Sequence, residues 1–287
     1  MSRQENILRN FELYLEENLP VVDGFHPHFQ KALGEILKAG GKRFRPLLLL
    51  SVVDTCSPLL LQNSYPVALG LEMLHTYSLI HDDLPSMDDA NLRRGYPTLH
   101  VTYDDVTAIL AGDALNTDAF LKISTAPLSD KIKTELVKIL AQNGGSGGMV
   151  IGQAIDCEFE DRVLMQRELE FLHLNKTAKL IAASLLMGAT ICELDKNSKT
   201  AIYNLGLNLG LLFQVQDDII DATQSQEEAG KPTGNDEHKN SFVNLLGLEG
   251  ALRYKKKALE ALHVELGKLD ENLAIRLDKI VKGYFNG

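Results

Sequence analysis

Apolar residues recur along this chain at intervals of three and four, and no stretch alternates singly in the manner of a strand. Ile7, Leu8, Phe11, Leu15 and Leu19 mark a first amphipathic helix, which Pro20 ends. Phe29, Leu33, Ile36 and Leu37 mark a second over 27–38. Residues 47–56 and 65–80 are apolar on nearly every side and predict two buried helices. The helical spacing continues over 103–124, 131–142, 168–187, 198–223, 242–266 and 271–284. Between two of these, Asn143–Met149 is rich in glycine and reads as a loop, although 148–156 could equally be a helix whose small residues permit close packing. From Gln224 to Asn240 the pattern disappears, which predicts a long loop of the kind that acts as a lid. The pattern predicts an all-α chain and, with no linker in sight, a single domain over 1–287.

Composition sharpens this picture. Of the 287 residues 45% are hydrophobic but only 6% aromatic, with no tryptophan, which suits helices packed through Leu, Ile and Ala. A formal charge of -10 argues against nucleic acid or a membrane surface as partner, so any anionic ligand must be held by local cations and metal. Cys56, Cys157 and Cys192 are odd in number and have no disulfide spacing. Residues 1–20 carry charges throughout with no signal-peptide core, and the longest apolar run, 47–53, is far too short to span a membrane. A cytoplasmic location is the expectation.

The chemistry concentrates where the apolar pattern ends in acid. Asp82, Asp83, Asp88 and Asp89 close one helix, with Arg93 and Arg94 just beyond; Asp217, Asp218 and Asp221 close another. Like-charged carboxylates at contact distance repel by roughly 1 kcal/mol per pair even in water, so a cation is expected among them. All-carboxylate ligation selects a hard ion, Mg²⁺ first, with Mn²⁺ as an alternative. Asp217 and Asp221 share a helical face, whereas on an ideal helix Asp82 and Asp88 would be about 120° apart. Pro85 lies between them and breaks the helix, so 84–87 reads as an expansion that lets both carboxylates converge. Geometry alone does not choose Asp88 over Asp89.

A basic stretch, Gly40-Gly41-Lys42-Arg43-Phe44-Arg45-Pro46, frees the backbone with two glycines, supplies three cations and places Pro46 at the first position of a helix. Such an arrangement suits a diphosphate. His75, seven residues before Asp82, falls on nearly the same face and is a candidate for the same cleft. Two acidic helix ends and a separate basic loop suggest two phosphorylated substrates in an apolar helical cavity.

These motifs resemble the trans-isoprenyl diphosphate synthases, above all the bacterial farnesyl diphosphate synthase type. The resemblance is carried by GGKRFRP at 40–46, HDDLPSMDD at 81–89, RRG at 93–95, GMVIGQAID at 148–156, KT at 176–177, FQVQDDIID at 213–221 and GKPTG at 230–234. It implies the type I isoprenoid synthase fold, with about ten or more helices around a cavity, a homodimer, and about three Mg²⁺ ions. By resemblance Asp82, Asp88 and Asp217 hold metal, with Asp83 and Asp221 in support. Arg93, Lys176, Thr177, Gln214 and Lys231 would hold an allylic diphosphate. Lys42, Arg45, His75 and Arg94 would hold isopentenyl diphosphate. Tyr77 and Ser78, one turn before Asp82, would bound the growing tail and set a C15 product, with Tyr77 as its floor. Ala90 and Asn91 depart from positions that are often acidic in the bacterial enzymes.

Other readings remain. A geranyl or geranylgeranyl diphosphate synthase would share the fold. A terpene cyclase has little need for the basic loop, and a non-catalytic subunit would usually have lost an acid cluster. Glu72-x-x-His75 and Glu170-x-x-His173 have the spacing of a di-iron bundle but leave both aspartate clusters unexplained.

Overall fold

The computed structural model describes residues 2–160, 162–223 and 240–285. Its contacts divide the chain into two compact units, Met1–Asp54 with Pro58–Val137, and Thr55–Ser57 with Lys138–Gly287.

The first unit begins with α1 (Arg3–Glu17). Ser2 caps it: its hydroxyl accepts the Glu5 N–H while the Glu5 carboxylate accepts the Ser2 N–H. Then come α2 (His28–Lys38), α3 (Phe44–Cys56), a 3-10 turn at Pro58–Leu60, and α4 (Leu61–Asp82). A short α5 (Leu99–Thr102) precedes α6 (Asp105–Ser124), the predicted 103–124 helix, which Asp104 caps by accepting the Thr107 N–H at 2.6 Å. α4 packs along α6 and is buried over most of its length. α3 starts at Phe44, so Pro46 is its third residue rather than its first; its missing N–H is still among those left unbonded at a helix start.

α7 (Asp130–Gly144) leads into the second unit. There α8 (Met149–Glu158) realises the helical alternative for the glycine-rich stretch. The predicted 168–187 helix is interrupted: α9 (Gln166–His173) passes through a π-turn at Leu174–Ala178 into α10 (Lys179–Ile191). α11 (Lys196–Thr223) packs against α10 and against α12 (Phe242–Leu266), which is kinked at Gly247; α13 (Glu271–Phe285) follows. Leu169, Leu172, Val215, Ile219, Phe242 and Ala251 form a buried cluster joining α9, α11 and α12.

The all-α class is borne out, with one addition. Leu92–Arg93 and Tyr96–Pro97 pair as a minimal antiparallel ribbon. Arg94 (φ 56°) and Gly95 (φ 81°) turn it with the positive φ values that tight hairpins favour. Two-residue strands are too short to leave an alternating pattern. Among the described residues no helix is long and apolar enough to cross a membrane.

Candidate active site

The acid-rich end of α4 is shaped by a failed helical turn. The Asp83 N–H still bonds Leu79, but with Pro85 ahead the ladder ends. Instead the Asp88 N–H donates to the Asp82 carbonyl at 2.9 Å, and the Asp89 N–H to Leu84 at 3.1 Å. The 84–87 expansion therefore brings the backbones of Asp82 and Asp88 together. Asp89, at φ 45°, closes the loop in the left-handed region.

Asp83 is committed to Arg93. It is 2% exposed and accepts from Arg93 Nε at 2.9 Å and from Arg93 Nη2, which also lies 3.8 Å from Asp82 Oδ2. Burial pushes the Asp83 carboxyl up from its ordinary value against the pull of Arg93. Asp83 thus anchors Arg93 beside the acid pair.

The basic loop belongs to the same unit. Gly40 (φ 79°) and Gly41 (φ 123°) adopt conformations that favour glycine, and Arg94 lies so close over Gly41 that a Cβ there would strike its guanidinium. Arg94 Nη1 donates to the Gly40 carbonyl. Lys42 is exposed, and Arg45 Nη1 reaches His75 Nε2 at 3.1 Å. Burial holds His75 well below its ordinary pKa, and the guanidiniums of Arg45, Arg94, Arg93 and Arg43 act in the same direction. The ring is therefore neutral, and Nε2 accepts from Arg45 when the proton sits on Nδ1. Tyr77 is half-buried, its ring edge-on to His81 at 5.7 Å, while the Ser78 hydroxyl is taken by the His75 carbonyl at 2.8 Å.

In the second unit Lys176 lies in the π-turn and pairs with Asp156 of α8 at 2.5 Å. Gly152 permits this, since a Cβ there would overlap the Lys176 backbone. The Thr177 hydroxyl donates to Gln214 Oε1 at 3.4 Å, and Gln214 Nε2 to Asp218 Oδ1 at 3.1 Å. Asp218 Oδ2 then accepts the Phe242 N–H at 2.7 Å and so caps α12. Asp217 and Asp221 are half-buried on α11. The roles of Asp156 and Asp218 were not foreseen; the only signal for Asp156 was its place at the end of the 148–156 motif. Lys231 and the 230–234 motif lie outside the described residues.

The paired Glu-x-x-His spacings do not build a metal centre. Glu72 pairs with Arg43 at 2.9 Å, and Gln166 Nε2 donates to Glu170 at 2.9 Å. Among the described residues no three His, Cys, Asp or Glu side chains form a ready-made cage. Asp82 with Asp88 does suit Mg²⁺, which usually takes one or two carboxylates and fills its shell with phosphate oxygens and water.

A profile of the polyprenyl synthetase family matches residues 26–273. The chain belongs to this family. Among its relatives, a farnesyl diphosphate synthase of Micrococcus luteus is 39% identical over 97% of this chain and 98% of its own. One of Geobacillus stearothermophilus is 44% identical over 82% and 79%. A Helicobacter pylori geranyltransferase, crystallised with magnesium and isoprenyl diphosphate, superposes with a TM-score of 0.93 at 45% identity, covering 100% of this chain and 99% of that one. The fold is that of the isoprenoid synthases.

Proposed function

We propose that this chain is a Mg²⁺-dependent prenyltransferase, a farnesyl diphosphate synthase. It joins isopentenyl diphosphate head-to-tail to dimethylallyl and then geranyl diphosphate, releasing diphosphate. The observation that carries this reading is the failed turn that draws Asp82 and Asp88 together with Arg93 beside them, in the same unit as a basic loop carrying Lys42, Arg45, His75 and Arg94. One centre suits a metal-bound diphosphate that leaves, the other an anion that stays.

Asp82, Asp88 and Asp217 are the metal ligands in this reading. Bound Mg²⁺ supplies positive charge that stabilises the departing diphosphate. Arg93, Lys176, Thr177, Gln214 and Lys231 hold the allylic diphosphate, and Lys42, Arg45, His75 and Arg94 orient isopentenyl diphosphate. The allylic C–O bond breaks to leave a carbocation, which the isopentenyl double bond attacks; a proton is then lost to the released diphosphate. Carbonyls of the π-turn and Gln214 Oε1 stabilise the cation, and apolar walls keep water from it.

The test is incubation with labelled isopentenyl diphosphate, dimethylallyl diphosphate and Mg²⁺, followed by chromatography of the dephosphorylated products. A C15 alcohol that is lost with EDTA is expected; no condensation with any allylic starter overturns the reading. In the same assay Tyr77→Ala is expected to shift product toward C20, since removing the ring opens space one turn above Asp82. An unchanged C15 profile would remove Tyr77 from the chain-length role.

The enzyme acts as a homodimer in the cytoplasm. Val106, Ile109 and Leu110 form an exposed apolar patch at the start of α6, with Leu121 exposed three turns further on beyond Asp113 and Thr117, a face that a second copy would cover. Leu110→Glu is expected to halve the mass measured by light scattering; an unchanged mass would place the interface elsewhere.

A further inference from the structure

Three cations follow the glycines of the basic loop, and the middle one is unlike its neighbours. Arg43 is 3% exposed. Its Nε donates to Glu12 Oε1 at 2.8 Å, its Nη1 to Glu72 Oε1 at 2.9 Å and its Nη2 to the Leu37 carbonyl at 2.6 Å. All three nitrogens are engaged within the protein, which leaves Arg43 poorly placed to bind substrate itself. Its backbone, at φ 44°, is in the left-handed region, which arginine adopts only where its surroundings hold it.

Two residues further on, Arg45 reaches His75. Glu72 and His75 lie one turn apart on α4, so they share a face. The basic stretch and α4 are therefore joined by two contacts, Arg43–Glu72 and Arg45–His75. The first is fully buried, with both side chains 2% exposed; the second is half-buried, and Lys42 is exposed. A buried ion pair is often no more stabilising than well-packed apolar groups of the same volume. What it supplies here is register.

We infer that Arg43 and Glu72 form a positioning pair that fixes residues 40–45, the turn into α3 and its first residues, so that Lys42, Arg45 and His75 present one anion site to isopentenyl diphosphate. This rests on the function proposed above. Among the described residues the pair's hydrogen bonds run to each other, to Glu12 and to Leu37 and not to the acid cluster, so its loss is expected to act on the second substrate alone.

The test compares Arg43→Gln, Glu72→Gln and the double variant Arg43→Met/Glu72→Met with the wild type. The double variant leaves no lone buried charge and keeps the protein folded where a single change does not. In every folded variant KM for isopentenyl diphosphate is expected to rise at least tenfold. KM for the allylic substrate and kcat at saturation should stay within about threefold, a split equivalent to one decade of binding. A double variant with wild-type KM, or a parallel loss in both KM values and kcat, would overturn the inference. Calorimetric titration with inorganic pyrophosphate in EDTA reads the basic site without turnover and should show the same tenfold weakening. A wild type that binds pyrophosphate in this way yet fails to condense would overturn the functional reading while leaving the positioning pair to stand on the titration.

Discussion

Asp82→Ala is expected to lower kcat by about a thousandfold while leaving KM for isopentenyl diphosphate within about twofold. A metal ion contributes several kcal/mol to stabilising charge on a departing diphosphate, and each 1.36 kcal/mol is tenfold in rate. Removing one carboxylate of the pair that the Asp88-to-Asp82 hydrogen bond assembles therefore removes about three decades. Asp89→Asn is the control. Asp89 closes the loop at φ 45°, a conformation asparagine tolerates, so this variant should stay within about threefold. Steady-state condensation assays at saturating Mg²⁺ measure both. An Asp89→Asn enzyme as impaired as Asp82→Ala would show that the metal pair has been misassigned.

His173→Phe is expected to leave stability at neutral pH intact and to remove an acid-sensitive step. His173 is buried, stacks on Phe242 at 5.2 Å, and has no hydrogen-bond partner at either ring nitrogen. Burial lowers its pKa from 6.5 to about 4, Lys176 adding to the effect and Asp156 opposing it. The folded protein thus disfavours the protonated ring that the unfolded chain accepts. The contribution to stability is present in full above pH 6.5 and is lost as pH falls toward 4, amounting to roughly 3 kcal/mol. Phenylalanine fills a similar volume and has no proton to take up. Urea unfolding at pH 7.5 and 4.5 should show a smaller loss of stability for the variant; equal losses would mean that His173 is not held neutral.

Helices were legible where one chemical period ran unbroken: the predicted 27–38, 198–223 and 242–266 correspond to α2, α11 and α12 within two residues at either end. The period says little where the backbone departs from a regular helix. The predicted 168–187 helix contains a π-turn at Leu174–Ala178 that apolar spacing does not announce. The ribbon at 92–97 rests on two left-handed residues, not on hydrophobic alternation. In the candidate site, residue types and order pointed to the acid pair and the basic loop. They could not divide the work among adjacent like charges. Asp83 serves Arg93 and Asp218 serves the start of α12, divisions that depend on which side of a helix faces inward.

The π-turn at Leu174–Ala178 constrains how this chain can change in length. The Lys179 N–H bonds the Leu174 carbonyl five residues back, so the turn holds one residue more than an α-helix would. The wide turn absorbs that residue, so deleting it would let the segment heal into ordinary helix with α9 and α10 close to their present phase. Leu169 and Leu172 would keep their places in the cluster. What would be lost is the widened turn itself, which carries Lys176 to Asp156 and lays its backbone against Gly152. The extra residue thus serves the site and not the core: the interval between residues 173 and 179 can shorten without unpacking the helices, but not without moving Lys176.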